Sequence, residues 1–143
     1  MAERVVIVGG GLAAVRTAQA LRDLNYPGEV MIVSDEAEWP YDRPPLSKAL
    51  LLGKTDEANI RLTTPEKAAE LGVEVRLSQG VRGVDREARK LLLSRGESIA
   101  YDRLVVATGA RPLALPALEG YANVAALRSL GDARRVKSAI EAK

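Results

Sequence analysis

Five residues, Arg4-Val5-Val6-Ile7-Val8, run directly into Gly9-Gly10-Gly11 and then into a helical repeat. No other feature of the chain narrows its fold so far. A short run rich in β-branched residues reads as a strand buried on both faces, as in a parallel sheet. Leu12, Val15, Ala18, Leu21 and Leu24 then recur every third residue, with Ala14 and Ala20 alongside, and predict one apolar helix face. Asn25-Tyr26-Pro27-Gly28 stops that helix, and Glu29 to Ser34 reads as a second buried strand. Together these segments predict a βαβ unit whose crossover is right-handed.

The turn Gly9-Gly10-Gly11-Leu12-Ala13-Ala14 fits G-x-G-x-x-A. In that pattern Gly9 permits the tight exit from the strand, Gly11 lets a pyrophosphate approach the backbone, and small Ala14 lets the helix pack close to the sheet. The amides of Leu12, Ala13 and Ala14 open the helix, where free N–H groups and a partial positive charge favour phosphate. The pattern carries weight here because it follows a strand and opens a helix. An acid at the end of the second strand is expected to accept hydrogen bonds from an adenosine ribose. Asp35 and Glu36 stand there, somewhat farther along the chain than the usual ~20 residues. Either acid could serve, and Asp35 is favoured. A carboxylate at this point also repels a 2′-phosphate.

Beyond the βαβ unit, residues 35–45 read as an ordered, proline-rich loop, and Leu46 to Leu52 as a short helix. Thr64-Pro65-Glu66 opens a helix that runs to Leu71, with Pro65 suited to its first turn and Gly72 ending it. Val73 to Leu77 alternate as a third strand. Residues 81–85, 89–95 and 98–101 read as a β-meander, turning at Asp85-Arg86-Glu87-Ala88 and at Arg95-Gly96-Glu97. Leu104-Val105-Val106-Ala107 is a further buried strand, residues 111–126 a linker, and Asp132 to Ala142 a helix. The fold class is therefore α/β, a Rossmann-like sheet with an inserted antiparallel meander.

The composition excludes several chemistries. The chain has no cysteine and no histidine, so it offers no disulfide, thiolate ligand or imidazole base. No metal site is expected, and redox chemistry must come from a bound organic cofactor. The net charge of +2 comes without a Lys/Arg block, and no apolar run is long enough to cross a bilayer. Neither nucleic acid nor membrane is expected as a partner. Because Met1-Ala2-Glu3-Arg4 leads straight into the first strand with no charged-then-apolar leader, a cytoplasmic protein is expected.

The most specific string is Trp39-Pro40-Tyr41-Asp42-Arg43-Pro44-Pro45-Leu46-Ser47-Lys48. With the glycine turn before it and Ala107-Thr108-Gly109-Ala110-Arg111-Pro112 after it, the chain resembles the FAD-dependent ferredoxin reductases of the pyridine nucleotide-disulfide oxidoreductase type. That group includes putidaredoxin and rubredoxin reductases, and apoptosis-inducing factor is a relative. The resemblance implies an FAD cofactor and electron transfer from NADH through the flavin to a ferredoxin or rubredoxin. It implies that Arg43 clamps a phosphate, that Pro45 walls the flavin, and that Lys48, the one catalytic candidate, approaches the ring. Val81 matches a residue whose backbone meets adenine. Ala107, Thr108 and Gly109 match a turn closing over the cofactor, and Arg128 matches an arginine that touches FAD. The physical chemistry of these residues agrees: two prolines stiffen the loop at low entropic cost, and guanidinium suits phosphate.

The resemblance also implies that the family's FAD domain is interrupted by an NADH-binding domain, and no second G-x-G-x-x-G occurs here. Residues 1–110 are then expected to form an FAD-binding segment, incomplete against the full family fold, and 111–143 a linker and helix leading to an absent NADH-binding domain. Such a fragment should bind FAD weakly at best, show no NADH oxidase turnover, and self-associate through exposed surfaces. Two other readings stay open: a small NAD-binding dehydrogenase domain, and a non-catalytic binding protein like apoptosis-inducing factor.

Overall fold

The computed structural model describes residues 3–113 and 115–142. Met1, Ala2, Ala114 and Lys143 lie outside the described residues, and with them the first two positions of the expected leaderless start, one position of the expected linker and the last residue of the chain. The chain divides into two units, Met1–Tyr41 with Arg61–Gly109 and Asp42–Ile60 with Ala110–Lys143.

In the first unit, β1 (Arg4–Val8), β2 (Glu29–Val33), β3 (Val73–Arg76) and β7 (Arg103–Val106) form one parallel sheet in the order β3-β2-β1-β7. The antiparallel meander is β4 (Val81–Asp85), β5 (Lys90–Leu93) and β6 (Ser98–Ala100). Alternation along a strand sends successive side chains to opposite faces, and each face of the parallel sheet has its own core. Val5 and Ile7 of β1 with Val30 and Ile32 of β2 pack against Ala14, Val15 and Ala18 of α1 (Leu12–Asp23). Val6, Met31 and Val33 face the other way, onto Leu91, Leu93 and Ile99 of the meander. The unbroken apolar run of β1 is thus explained: neither face is free for a polar side chain.

The helix face differs from the expected one. Ala14, Val15 and Ala18 are buried, but Leu12 is 48% exposed and Leu24 79%. Three residues turn an α-helix by less than a full circle, so a spacing of strictly three walks off the core at both ends. After its Leu24 C-cap, α1 ends in a Schellman arrangement: Asn25 is left-handed at φ 56°, its amide donates to the Arg22 carbonyl, and the Tyr26 amide donates to that of Leu21. Arg22 then secures this corner. Its guanidinium donates to four carbonyls, those of Tyr26 (2.8 Å), Gly28 (2.9 Å), Leu71 (2.9 Å) and Gly72 (2.7 Å). It thereby ties the turn after α1 to the turn after α2 (Pro65–Glu70), pairing carbonyls of the chain that leaves each helix.

In the second unit, Pro44–Ser47 form a 3-10 turn where a short helix was expected from Leu46 to Leu52. Pro44 and Pro45 have the fixed φ that suits a helical first turn. Lys48, at φ −130° and ψ −103°, leaves helical geometry, and residues 49–53 continue as turns. The last helix, α3 (Leu130–Glu141), starts two residues before the expected Asp132. Ser129 is its N-cap: Ser129 Oγ accepts from the Asp132 amide while the Asp132 carboxylate accepts from the Ser129 amide. Leu113, Leu115, Leu118 and Tyr121 of this unit expose their side chains. Among the described residues no helix is long and apolar enough to cross a membrane.

Candidate functional site

The three glycines after β1 have three different reasons to be glycine. Gly9 sits at φ +126°, and a Cβ there would collide with the carbonyl oxygen of Ala107 and stand 2.7 Å from its carbon. Its amide donates to the Val33 carbonyl (2.8 Å), binding the turn to the end of β2. A Cβ on Gly10 would lie 2.5 Å from Ser34 Oγ and 3.0 Å from Ser34 Cβ, and Ser34 is buried. Gly10 is thus a packing requirement at a position the motif leaves free. Gly11 is different: its backbone is extended (φ −96°, ψ −172°), and a Cβ there would meet nothing within 4 Å.

Gly11 is the N-cap of α1 and has no side-chain cap. The first helical bond runs from the Val15 amide to the Gly11 carbonyl (3.2 Å), so the amides at Leu12, Ala13 and Ala14 have no acceptor within the helix. No acidic side chain stands in that first turn. Leu12 and Ala13 are exposed, whereas Ala14 is fully buried against the sheet, as its small size allows. The residues thus fit a phosphate group: open space at Gly11, free donors and an uncompensated positive helix end.

The two acids after β2 are not equivalent. The Glu36 carboxylate accepts a hydrogen bond from the hydroxyl of buried Tyr41. Asp35 is exposed beside Gly80, where a Cβ would stand 3.8 Å from Asp35 Cβ. Val81, the next residue, begins β4 half-buried against the meander-side core. Ala107 extends the β7 ladder by donating to the Val8 carbonyl (2.8 Å), Thr108 is exposed, and Gly109 is left-handed at φ 70°. The turn after β7 therefore lies against the turn after β1.

Within the second unit, Arg43 and Arg128 are brought together across 85 positions of sequence: Arg43 Nη1 donates to the Arg128 carbonyl at 3.0 Å. Together with Pro44, Leu46, Ser47 and Leu127 they line a pocket of about 340 Å³. Pro45 is half-buried outside this lining, and Lys48 is exposed beyond the 3-10 turn. The Arg128 strap is held from the other side by Asp132, whose carboxylate accepts from the amides of Ser129 (2.8 Å) and Arg128 (3.0 Å). The Ser129 backbone bond chiefly, with the Ser129 hydroxyl, the Arg128 amide and Arg135, lowers its pKa from 3.8 to about 2. A folded value below the unfolded one means that the carboxylate stabilises above pH ~4 and loses its contribution as the pH falls toward 2. Asp132→Ala should therefore destabilise the chain by about 1–2 kcal/mol at pH 7. Denaturant titrations of wild type and variant should converge on acidification toward pH 2.

Sequence reasoning missed Gly10, Arg22 and the N-cap. Ser129-Leu130-Gly131-Asp132 carries the S-x-x-[DE] signal that marks a helix start. Nothing in the local sequence marks Gly10, whose partner Ser34 is far along the chain, or Arg22, two of whose four acceptors, Leu71 and Gly72, are farther still.

A parallel βαβ sheet, its glycine turn meeting an open helix end and its far face covered by a three-stranded meander, defines a Rossmann-like dinucleotide-fold domain. The profile of the pyridine nucleotide-disulphide oxidoreductases matches residues 3–143, and the chain belongs to that family. It is 39% identical over 140 residues to the probable ferredoxin reductase CtmF of Castellaniella defragrans, covering 96% of this chain and 34% of that protein. It is 38% identical over 139 residues to putidaredoxin reductase CamA of Pseudomonas putida, covering 94% and 33%. Among solved structures, the reductase in a covalent putidaredoxin reductase–putidaredoxin complex superposes with a TM-score of 0.88 at 36% identity, covering 96% of this chain and 34% of that one. The chain spans about a third of the length of the curated relatives it matches.

Proposed function

We propose that the chain is the FAD-binding portion of an NADH-dependent flavoprotein reductase that passes electrons to a ferredoxin or rubredoxin. The observation that carries this reading is the empty space at Gly11. Packing excludes a side chain at Gly9 and Gly10, but among the described residues nothing crowds a Cβ at the third position. A ligand approaching the backbone does. The relatives described as ferredoxin, putidaredoxin and rubredoxin reductases support the acceptor class.

In this reading the α1 amides and Gly11 bind the diphosphate, and Asp35 accepts from the ribose hydroxyls while Tyr41 occupies Glu36. Ala107, Thr108 and Gly109 close against the glycine turn, and Val81 borders the base. Arg43 and Arg128 present cationic donors to the cofactor, and Pro45 and Lys48 serve the flavin. When bound, FAD supplies the redox chemistry, taking a hydride equivalent and releasing electrons singly.

Titrating FAD or ADP into isotope-labelled protein tests this. The amides of Gly10 to Ala14 and of Asp35 should shift together and saturate. Amides that stay unmoved at millimolar ligand would refute the assignment.

A further inference from the structure

Arg128 has its backbone pinned on both sides. Its carbonyl accepts from Arg43 Nη1 at 3.0 Å, and its amide donates to the Asp132 carboxylate at 3.0 Å. One carboxylate oxygen, Oδ2, takes both that amide and the Ser129 amide (2.8 Å), while Oδ1 accepts from the exposed Arg135. The Asp132 side chain is only 18% exposed, so these charge-assisted bonds are weakly screened.

The helix that carries Asp132 is itself fixed. Leu130 and Ala133 are the buried residues of α3, which packs against the 3-10 turn of Pro44–Ser47. Arg134 forks onto Glu57, Nε to Oε1 at 2.7 Å and Nη2 to Oε2 at 2.5 Å. A firmly held helix thus reaches, through one oxygen, to the residue whose carbonyl receives Arg43.

Arg43 and Arg128 line the same pocket. Two cations in one pocket repel each other, and long arginine side chains lose conformational freedom when a ligand holds them. A fixed carbonyl that draws one guanidinium aside lowers both obstacles before any ligand arrives. We infer that Asp132 is a positioning residue: acting through the Arg128 backbone, it sets Arg43 and Arg128 in place for a phosphate-bearing cofactor. This rests on the proposed FAD site, in which the two arginines, and not Asp132, touch the ligand.

The test uses Asp132→Ala, Asp132→Asn and Ser129→Ala in the full chain. Asparagine keeps an oxygen for the two amides and gives up only the contact with Arg135. Ser129→Ala removes the hydroxyl that accepts from the Asp132 amide. It lowers the stability of α3 but leaves the Arg128 amide bonded to Asp132. In the free protein the Arg43 Nε–H resonance should shift in Asp132→Ala and stay in place in the other two variants. FAD affinity per folded molecule should fall about five- to tenfold in Asp132→Ala, the ordering of one or two long side chains. It should fall less than about twofold in Asp132→Asn and Ser129→Ala. Unchanged affinity in Asp132→Ala, an equal loss in Ser129→Ala, or no recovery with asparagine leaves Asp132 a helix cap alone and overturns the positioning role. An unmoved Arg43 resonance in Asp132→Ala overturns it as well, while the FAD site stands. A wild type that ignores FAD although Arg43 shifts in Asp132→Ala overturns the FAD site, and with it the placing of the arginines for a cofactor.

Discussion

Replacing Gly11 by alanine should leave the protein folded and weaken its binding of FAD at least about tenfold, while the same change at Gly9 should strongly destabilise the fold. The contrast follows from what each added methyl meets. At Gly11 the backbone is extended and the space is empty, so alanine costs only the difference in N-cap preference, below about 1 kcal/mol. The methyl then occupies the volume a diphosphate needs, and the affinity should fall by at least about tenfold, since a lost close approach forfeits charge-assisted N–H bonds of about 1.5–3 kcal/mol each. At Gly9 the φ of +126° is itself strained for alanine, and the methyl strikes the carbonyl of Ala107, whose amide is held by the Val8 carbonyl just past β7. Strain of about 1–3 kcal/mol and a backbone collision together should cost roughly 4 kcal/mol, a large share of a typical stability of about 5–15 kcal/mol. Circular dichroism melts and the FAD titration separate the outcomes. Loss of folding in the Gly11 variant, or undiminished FAD affinity in it, would overturn the assignment of that space to a ligand.

The second large effect lies far from the glycine turn. Arg22→Ala should destabilise the protein by about 3 kcal/mol, because four carbonyls in the turns after α1 and α2 lose a charged donor. Arg22→Lys should recover less than half of this, since an ammonium cannot reproduce the planar fork that spans four acceptors. Urea titrations give the comparison, and a lysine variant as stable as wild type would show that charge alone is what the corner requires. The substitution leaves the glycine turn intact, so FAD affinity per folded molecule should be unchanged.

Most of the fold is legible in the sequence because its signals are local. The β-branched runs of β1 and β2, the glycines after β1, Pro65 at a helix start and Gly72 at its end each act on their own neighbours. The helix limits were harder. A spacing of three imitates an amphipathic face, and only geometry shows that Leu12 and Leu24 fall off it. In the proline loop, Pro44-Pro45 start the helical turn themselves, two residues before the apolar residues that suggested it. The site is legible where a motif fixes it, at Gly9, Gly11 and Ala14. It is illegible where a long-range partner fixes it: Gly10 needs Ser34, and the bond from Arg43 to the Arg128 carbonyl spans most of the chain.

The first helix has its two ends treated unequally, with Arg22 in its last turn and no acid in its first. Its negative end is therefore answered from within the protein and its positive end is left for the surroundings to answer. Buffer choice is consequently not neutral. If the proposed diphosphate site holds, orthophosphate in a storage or assay solution should compete for the same amides, raising the melting point while making nucleotides look weak, and chloride-based or zwitterionic media should give the truer affinity.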